Sequence, residues 1–245
     1  MEKLKEYFKE LEIELSEKQL TQFQTYYDLL IEWNSVMNLT AITEPDEVMK
    51  KHYLDSVCLC KGKNVDLIND TCVTNRDISL IDIGTGAGFP SIPLKIVYPN
   101  LKITMLDSLN KRVKFLNAVI EALKLKNIEA IHGRAEDYAK PEKLREKYDI
   151  CVSRAVANLA TLSEYCLPYV RKGGLFIAYK SEELEKERES AAKAIYVLGG
   201  QIEEVVNYTL PQTDYFRNLC IIRKNQTTPK KYPRKAGLPS KEPLT

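Results

Sequence analysis

From Ser79 onward the sequence alternates, and that alternation limits the possible folds more than any other property of the chain. Short apolar runs at residues 80–83, 103–106, 128–131, 150–152 and 175–179 take turns with stretches whose apolar residues recur at helical spacing. The helical stretches fall near residues 92–97, over 111–123, near 159–170 and over 182–198. Strand and helix taking turns imply βαβ units, hence an α/β fold with a mostly parallel sheet and helices on both faces. Two late runs, 202–208 and 219–222, have no long helix between them and are expected to pair antiparallel at one sheet edge.

The first 65 or so residues read as helical. Leu20, Phe23, Tyr27, Leu30 and Ile31 form one apolar stripe down a helix expected to end near Trp33. Thr43-Glu44-Pro45-Asp46 has the form of a helix start with proline in the first turn, opening a second helix through Val48, His52 and Val57. The polar, unperiodic stretch from Asn64 to Asp77 reads as a loop. The expected organisation is therefore a helical extension over residues 1–65, an α/β domain over 66–225, and a basic, proline-rich C-terminal tail over 226–245.

Composition excludes several classes. With 44% hydrophobic and 29% charged residues among 245, the chain reads as an ordinary globular protein. No apolar run approaches the roughly 18 residues of a membrane span, and the opening MEKLKE is not a secretory leader, so a cytoplasmic location is expected. Six cysteines form no C-x-x-C pair, which favours reduced core thiols over disulfides or zinc, and no metal is expected. Net charge is only +2, yet Arg223 to Lys241 carries seven Lys or Arg and no acid. That stretch is either a contact for phosphate backbones or a solvated tail.

The chemistry centres on Gly84-Thr85-Gly86-Ala87-Gly88-Phe89, directly after the first strand, where open α/β sheets bind ligands. A dinucleotide fingerprint wants a small residue at the sixth position, which is Phe89 here. A carboxylate at Asp82, two residues before the first glycine, would also repel a docked pyrophosphate. It suits a phosphate-free ligand carrying an ammonium group, so both features favour S-adenosylmethionine over NAD. Asp107 closes the next strand, 25 positions after Asp82, where a carboxylate can accept from ribose hydroxyls. The third strand ends in HGRAED, whose backbone at Ala135-Glu136 can meet an adenine edge.

The methyl acceptor is narrowed by what the fourth strand lacks. Exocyclic amines call for an Asn/Asp-Pro-Pro-aromatic turn, and this place reads YDICVSRAVANL. Pyrimidine C5 calls for a cysteine nucleophile, whereas Cys151 lies inside an apolar strand. Guanine N7 has a free lone pair and no proton to lose, so an enzyme acting there needs no general base.

Taken together, WNSVMNLTAI, HYLDSV, DIGTGAGFPSIPLKI, LDSLNKRVKFL, GRAED, SRAVANL and YPRKAGLPSKEPL resemble the bacterial 16S ribosomal RNA guanine-N7 methyltransferase family RsmG, also called glucose-inhibited division protein B (GidB). The resemblance implies a Rossmann-like class I methyltransferase domain with a seven-stranded sheet behind a helical extension. It implies S-adenosyl-L-methionine as cofactor and a guanosine of small-subunit ribosomal RNA, or the 30S assembly particle carrying it, as partner. It places Gly84 and Phe89 at the methionine end, Asp107, Ser108 and Leu109 at the ribose and adenine, Ala135 and Glu136 at the adenine edge, and Arg154 in the same cleft. Lys180, closing a strand, is a candidate phosphate contact, and His52 a candidate RNA-facing residue. No membrane and no obligate protein partner are expected. The stretch from Asn64 to Asp77 is longer than the family usually needs. The alternative reading is a non-catalytic ribosome-associated protein that binds nucleotide and RNA.

Overall fold

Strands Ser79–Ile83 (β1), Lys102–Asp107 (β2), Ile128–His132 (β3), Tyr148–Arg154 (β4), Val170–Lys180 (β5), Gly200–Thr209 (β6) and Phe216–Lys224 (β7) form one sheet in the order β3-β2-β1-β4-β5-β7-β6. The structure is a computed structural model that describes residues 1–61, 77–154, 156–181 and 184–245. The loop expected from Asn64 to Asp77 lies outside the described residues apart from Asp77. β1 to β5 pair in parallel, and β7 joins β5 and β6 antiparallel, as the missing helix between the late runs required. This is the Rossmann-like arrangement the resemblance implies, with the strand order reversing between β1 and β4. The registers Ile83↔Leu106 and Asp107↔His132 bring the carboxyl ends of β1, β2 and β3 side by side.

Alternation across the sheet divides the core in two. Leu80, Ile150, Val152, Leu175 and Ile177 point to one face, and Ile81, Ile83, Cys151, Phe176 and Ala178 to the other. The first face is covered by α1 (Glu2–Lys9), α2 (Glu17–Met37), and a segment that runs from α3 (Pro45–Val48) through a π-helical turn (Met49–Leu54) into α4 (Asp55–Val57). It is completed by α5 (Ser91–Val97) and α6 (Asn110–Ala122). The N-terminal helices therefore share the main core: Phe8, Phe23, Tyr26, Leu30 and Tyr53 are buried in the same cluster as Leu80 and Val152. After the short α7 (Ala135–Tyr138), the second face is covered by α8 (Leu159–Cys166) and α9 (Leu184–Val197).

Several boundaries differ from the sequence reading for local reasons. α2 starts at a reciprocal Ser16–Gln19 capping box and passes Trp33 to Met37, because no breaker intervenes before Asn38 terminates it at a left-handed φ of 51°. The helix expected near 159–170 stops at Cys166; Pro168 belongs to a 3₁₀ turn, and β5 already begins at Val170.

The C-terminal stretch is neither a loose tail nor a row of free cations. Arg223 pairs with Glu203 beside β7, and Lys224 is fully buried against Glu146, the Leu167 carbonyl and Thr228. Arg234 clasps Glu164, while Tyr232 and Pro239 are buried; a short α10 (Leu238–Lys241) follows. Apolar residues at Tyr232, Pro239 and Leu244 anchor the segment, so its remaining basic side chains are displayed on a fixed surface.

No described helix is long and apolar enough to cross a membrane. Among the described residues, no cluster of His, Cys, Asp or Glu is arranged to hold a metal ion. Cys58, Cys151, Cys166 and Cys220 are buried. Burial pushes the Cys151 thiol well above its usual range, which leaves it inert as a nucleophile.

Candidate active site

The turn after β1 is set by backbone geometry that only glycine adopts freely. Gly84, Gly86 and Gly88 have φ of 72°, 63° and 96°. At Gly88 a Cβ would lie 2.6 Å from Ile92 Cγ1 and 3.0 Å from both Leu116 Cδ2 and Tyr26 Oη, so α2, α5 and α6 converge on this residue. At Gly86 it would face open space apart from the Gly84 carbonyl oxygen at 4.0 Å. The turn thus packs tightly on its helix side and stays bare on the other.

Asp107, at the end of β2, holds this shape. Its Oδ2 accepts from the Gly86 N–H at 2.9 Å and its Oδ1 from the Leu109 N–H at 2.9 Å, with Arg112 Nη1 at 3.4 Å. Oδ1, with one donor, retains a lone pair for a further one, whereas Oδ2 already has two. Ser108 borders the adjoining cleft, and its carbonyl accepts from His132 Nε2 at 3.1 Å, a structural use of that histidine. Leu109 is 42% exposed, an apolar side chain left uncovered beside the carboxylate.

The cleft runs from Gly84 past Ser108 to Ala135, Glu136, Val156 and Tyr165 and encloses about 140 Å³. Val156, on the loop after β4, leans over the turn: its Cγ2 would be 2.6 Å from a Cβ on Gly84. The first N–H groups of α7, at Ala135 and Glu136, have no acceptor within the helix. The Glu136 side chain turns away and accepts from the Gly237 N–H at 2.8 Å.

Asp82 is not where the sequence reading put it. It is fully buried behind the turn, with Oδ2 accepting from Ser91 Oγ at 2.8 Å and Oδ1 lacking a well-formed hydrogen bond. Burial pushes its carboxyl up to about 7, against the pull of Thr85, Ser91 and Arg154. A ligand cannot touch it. The exclusion of a pyrophosphate therefore cannot rest on Asp82.

A second cleft of about 380 Å³ opens on the other side, lined by His52, Asp55, Arg154, Lys180, Tyr208 and Arg217 among others. Its centre is Arg154, at the end of β4. Nη1 donates to the Lys51 carbonyl at 3.1 Å and to Asp55 Oδ2 at 3.0 Å, and Nη2 lies 3.3 Å from His52 Nδ1. All three partners come from the π-helical turn and the residue after it, a widened turn of the kind that recurs at functional sites. Asp55 also meets Arg217 Nε at 3.4 Å and the Tyr208 hydroxyl at 3.4 Å.

His52 is locked in this network. A guanidinium can only donate, so Nδ1 accepts and the neutral ring carries its proton on Nε2, which donates to Thr40 Oγ1 at 2.9 Å. Burial and the Arg154 charge push the imidazole down to about 3. The ring stacks on Phe89 at 4.3 Å, and Phe89 is itself buried against Tyr26 and Tyr53. Phe89 therefore braces the turn from behind, with the Arg154 guanidinium 5.2 Å from its ring centre. Lys180 faces the same cleft but is engaged, with Nζ 2.6 Å from Glu187 Oε2 and 2.8 Å from the Ala157 carbonyl.

The sequence model of GidB, described as rRNA small subunit methyltransferase G, matches residues 19–215, a span that contains the first cleft and all of the second except Arg217 and Asn218. The chain belongs to this family. A relative from Lachnoclostridium phytofermentans is 56% identical over 234 residues, covering 96% of this chain and 93% of the relative. Relatives from Staphylococcus saprophyticus (53% identical over 232 residues, 95% and 93% covered) and Clostridium botulinum strain Loch Maree (50% over 235 residues, 96% and 95%) are similar over the same extent. Each bears the name ribosomal RNA small subunit methyltransferase G.

Within this methyltransferase G family member, Gly84, Ser108, Ala135 and Glu136 line one cleft, with the buried Asp107 and the exposed Leu109 on either side of Ser108 in the chain. The structure separates from them Arg154, His52 and Lys180, which border the other. Asp55, Arg217, Val156 and Tyr165 were missed as site residues. Asp55 did carry a signal, an acid inside the apolar run YLDSV, but its partners Arg154 and Arg217 lie far along the chain.

Proposed function

We propose that the chain transfers the methyl group of S-adenosylmethionine to N7 of a guanosine in small-subunit (16S) ribosomal RNA. The residues present fit that cofactor. The bare side of the turn at Gly86 leaves room that a Cβ would fill, and Asp107 Oδ1 keeps acceptor capacity for a ribose hydroxyl. Ser108 and Leu109 flank the same sugar and base, and the free N–H groups of Ala135 and Glu136 suit an adenine edge. Gly84 lies at the methionine end, with Phe89 fixing the turn behind it. When bound, the cofactor supplies a methyl group on a cationic sulfur, open to in-line displacement.

The target base is assigned to the second cleft. Arg154, Arg217 and Lys180 draw the RNA backbone in, and Asp55 and Glu187 limit the positive charge that they accumulate. One observation carries the choice of N7: every carboxylate lining that cleft is engaged by a cation, and its imidazole is held neutral with an acceptor-side nitrogen already occupied. Among the described residues the cleft thus offers no base to deprotonate an amine, and guanine N7 requires none. Alignment of acceptor and donor is then the main source of acceleration.

The substrate is the RNA itself or the 30S assembly particle, in the cytoplasm where ribosomes are built. Incubation with labelled S-adenosylmethionine and small-subunit RNA from cells lacking the enzyme should place label on N7 of one guanosine. RNA left unlabelled, or labelled on an amine nitrogen, would reject the proposal.

A further inference from the structure

The closing stretch YPRKAGLPSKEPL has so far explained nothing. Its charge suggested RNA, yet its best-ordered contacts point elsewhere. Arg234 grips Glu164, which is 1% exposed, through Nε at 3.0 Å and Nη2 at 2.7 Å, and the Arg234 backbone N–H donates to the same carboxylate at 2.7 Å. Arg234 Nη2 also donates to the Glu242 carbonyl at 2.7 Å, closing the segment on itself. The Pro239 carbonyl accepts from Thr161 Oγ1 at 3.1 Å. Glu164 and Thr161 both stand on α8, whose Tyr165 forms a wall of the cofactor cleft.

The second attachment is at the adenine edge. Gly237, at a φ of 83° that favours glycine, turns its N–H onto Glu136 Oε1 at 2.8 Å. Glu136 is 7% exposed and lines the cleft next to Ala135. Its carboxylate is thereby pulled out of the cleft while its backbone N–H stays inside. One segment thus fastens both walls of the adenine end, α7 through Glu136 and α8 through Glu164.

We infer that residues 234–238 form a brace for the cofactor cleft, with Gly237 and Arg234 as positioning residues that act through Glu136 and Glu164. The inference rests on the reading of that cleft as the S-adenosylmethionine site. It assigns the segment to cofactor affinity and takes Arg234 out of the RNA contact surface.

The test is calorimetric titration of the full chain with S-adenosylhomocysteine, beside a melting curve for each variant. Glu136→Ala removes the acceptor of the Gly237 hydrogen bond and should weaken binding about three- to tenfold, and Arg234→Gln, which loosens the attachment to Glu164, should weaken it in the same range. The double variant should bind no more weakly than the weaker single one, because the brace is lost once either attachment is gone. Glu136→Gln, whose amide oxygen still accepts the Gly237 N–H, should recover most of the affinity lost in Glu136→Ala. A lowered melting temperature with unchanged affinity would reduce the segment to a structural role and overturn the brace, as would fully additive losses. Failure of the unaltered protein to bind S-adenosylhomocysteine would instead overturn the cleft assignment, and the brace with it.

Discussion

The two clefts on either side of the glycine turn are built on opposite principles. The cleft proposed for the cofactor is built mainly on the ends of β1, β2 and β3, adjacent strands that follow each other in the chain, with Val156 and Tyr165 closing it from beyond β4. The cleft proposed for the RNA is made of long charged side chains from the helical segment, β4, β5 and β7, each held by a partner from another element. The first takes its floor from the paired ends of β1, β2 and β3, and α2 reaches it only through the Tyr26 hydroxyl on the turn. The second exists only when the N-terminal segment docks, because Lys51, His52 and Asp55 aim Arg154.

That contrast predicts where damage should spread. The largest effect is expected for Asp55→Asn, which leaves Arg154 and Arg217 without their neutralising partner. Stability should fall by about 3–5 kcal/mol and RNA methylation should collapse, while S-adenosylhomocysteine affinity of the folded fraction holds. Equal loss of cofactor binding would show that the clefts are one unit. Asp107→Ala is the mirror experiment, expected to weaken cofactor binding by about 1–3 kcal/mol, from unmade hydrogen bonds, with RNA affinity retained. Unchanged calorimetric affinity would remove Asp107 from the site.

The buried titratable groups sharpen the comparison through pH. Asp82 is raised from about 4 to about 7, so between those values the native state holds a proton that the unfolded chain has released; its stabilising share is lost as pH rises through about 7. His52 is lowered from about 6.5 to about 3, so the unfolded chain holds the extra proton and the stabilising share is lost as pH falls toward 3. From about pH 4 to 6.5 the two slopes oppose, each at most about 1.4 kcal/mol per pH unit. Asp82→Asn should therefore make stability climb with pH across this window, and His52→Gln should make it decline. Parallel profiles by denaturant unfolding would contradict both environments. The smallest effect is expected for Arg223→Gln: paired with Glu203, it should leave the salt dependence of RNA affinity unchanged, whereas replacing exposed Lys230 and Lys231 by Gln should lower the log–log slope by about one each if they meet phosphates.

The same contrast explains what could be read from the sequence. Strand ends, glycine spacing and Asp107 are local signals, and the parallel sheet with its antiparallel pair at one edge followed from where helices separate the runs. Asp82 misled because a carboxylate next to a ligand turn looks the same in sequence whether it faces out or is buried under Ser91. Arg154 and Lys180 were placed at the right strand ends, but their partners, 99 positions away for Asp55 and within α9 for Glu187, cannot be deduced from periodicity. The basic C-terminal stretch misled in the opposite sense, since charge composition says nothing about Tyr232 and Pro239 pinning it down.

The Tyr26 hydroxyl donates to the Ala87 carbonyl at 2.5 Å, in the middle of the glycine turn. A residue of the second helix thereby sets the pitch of a loop that a bare α/β sheet would leave to itself. A fragment beginning at residue 77 would keep every strand and forfeit the grip on its methyl donor.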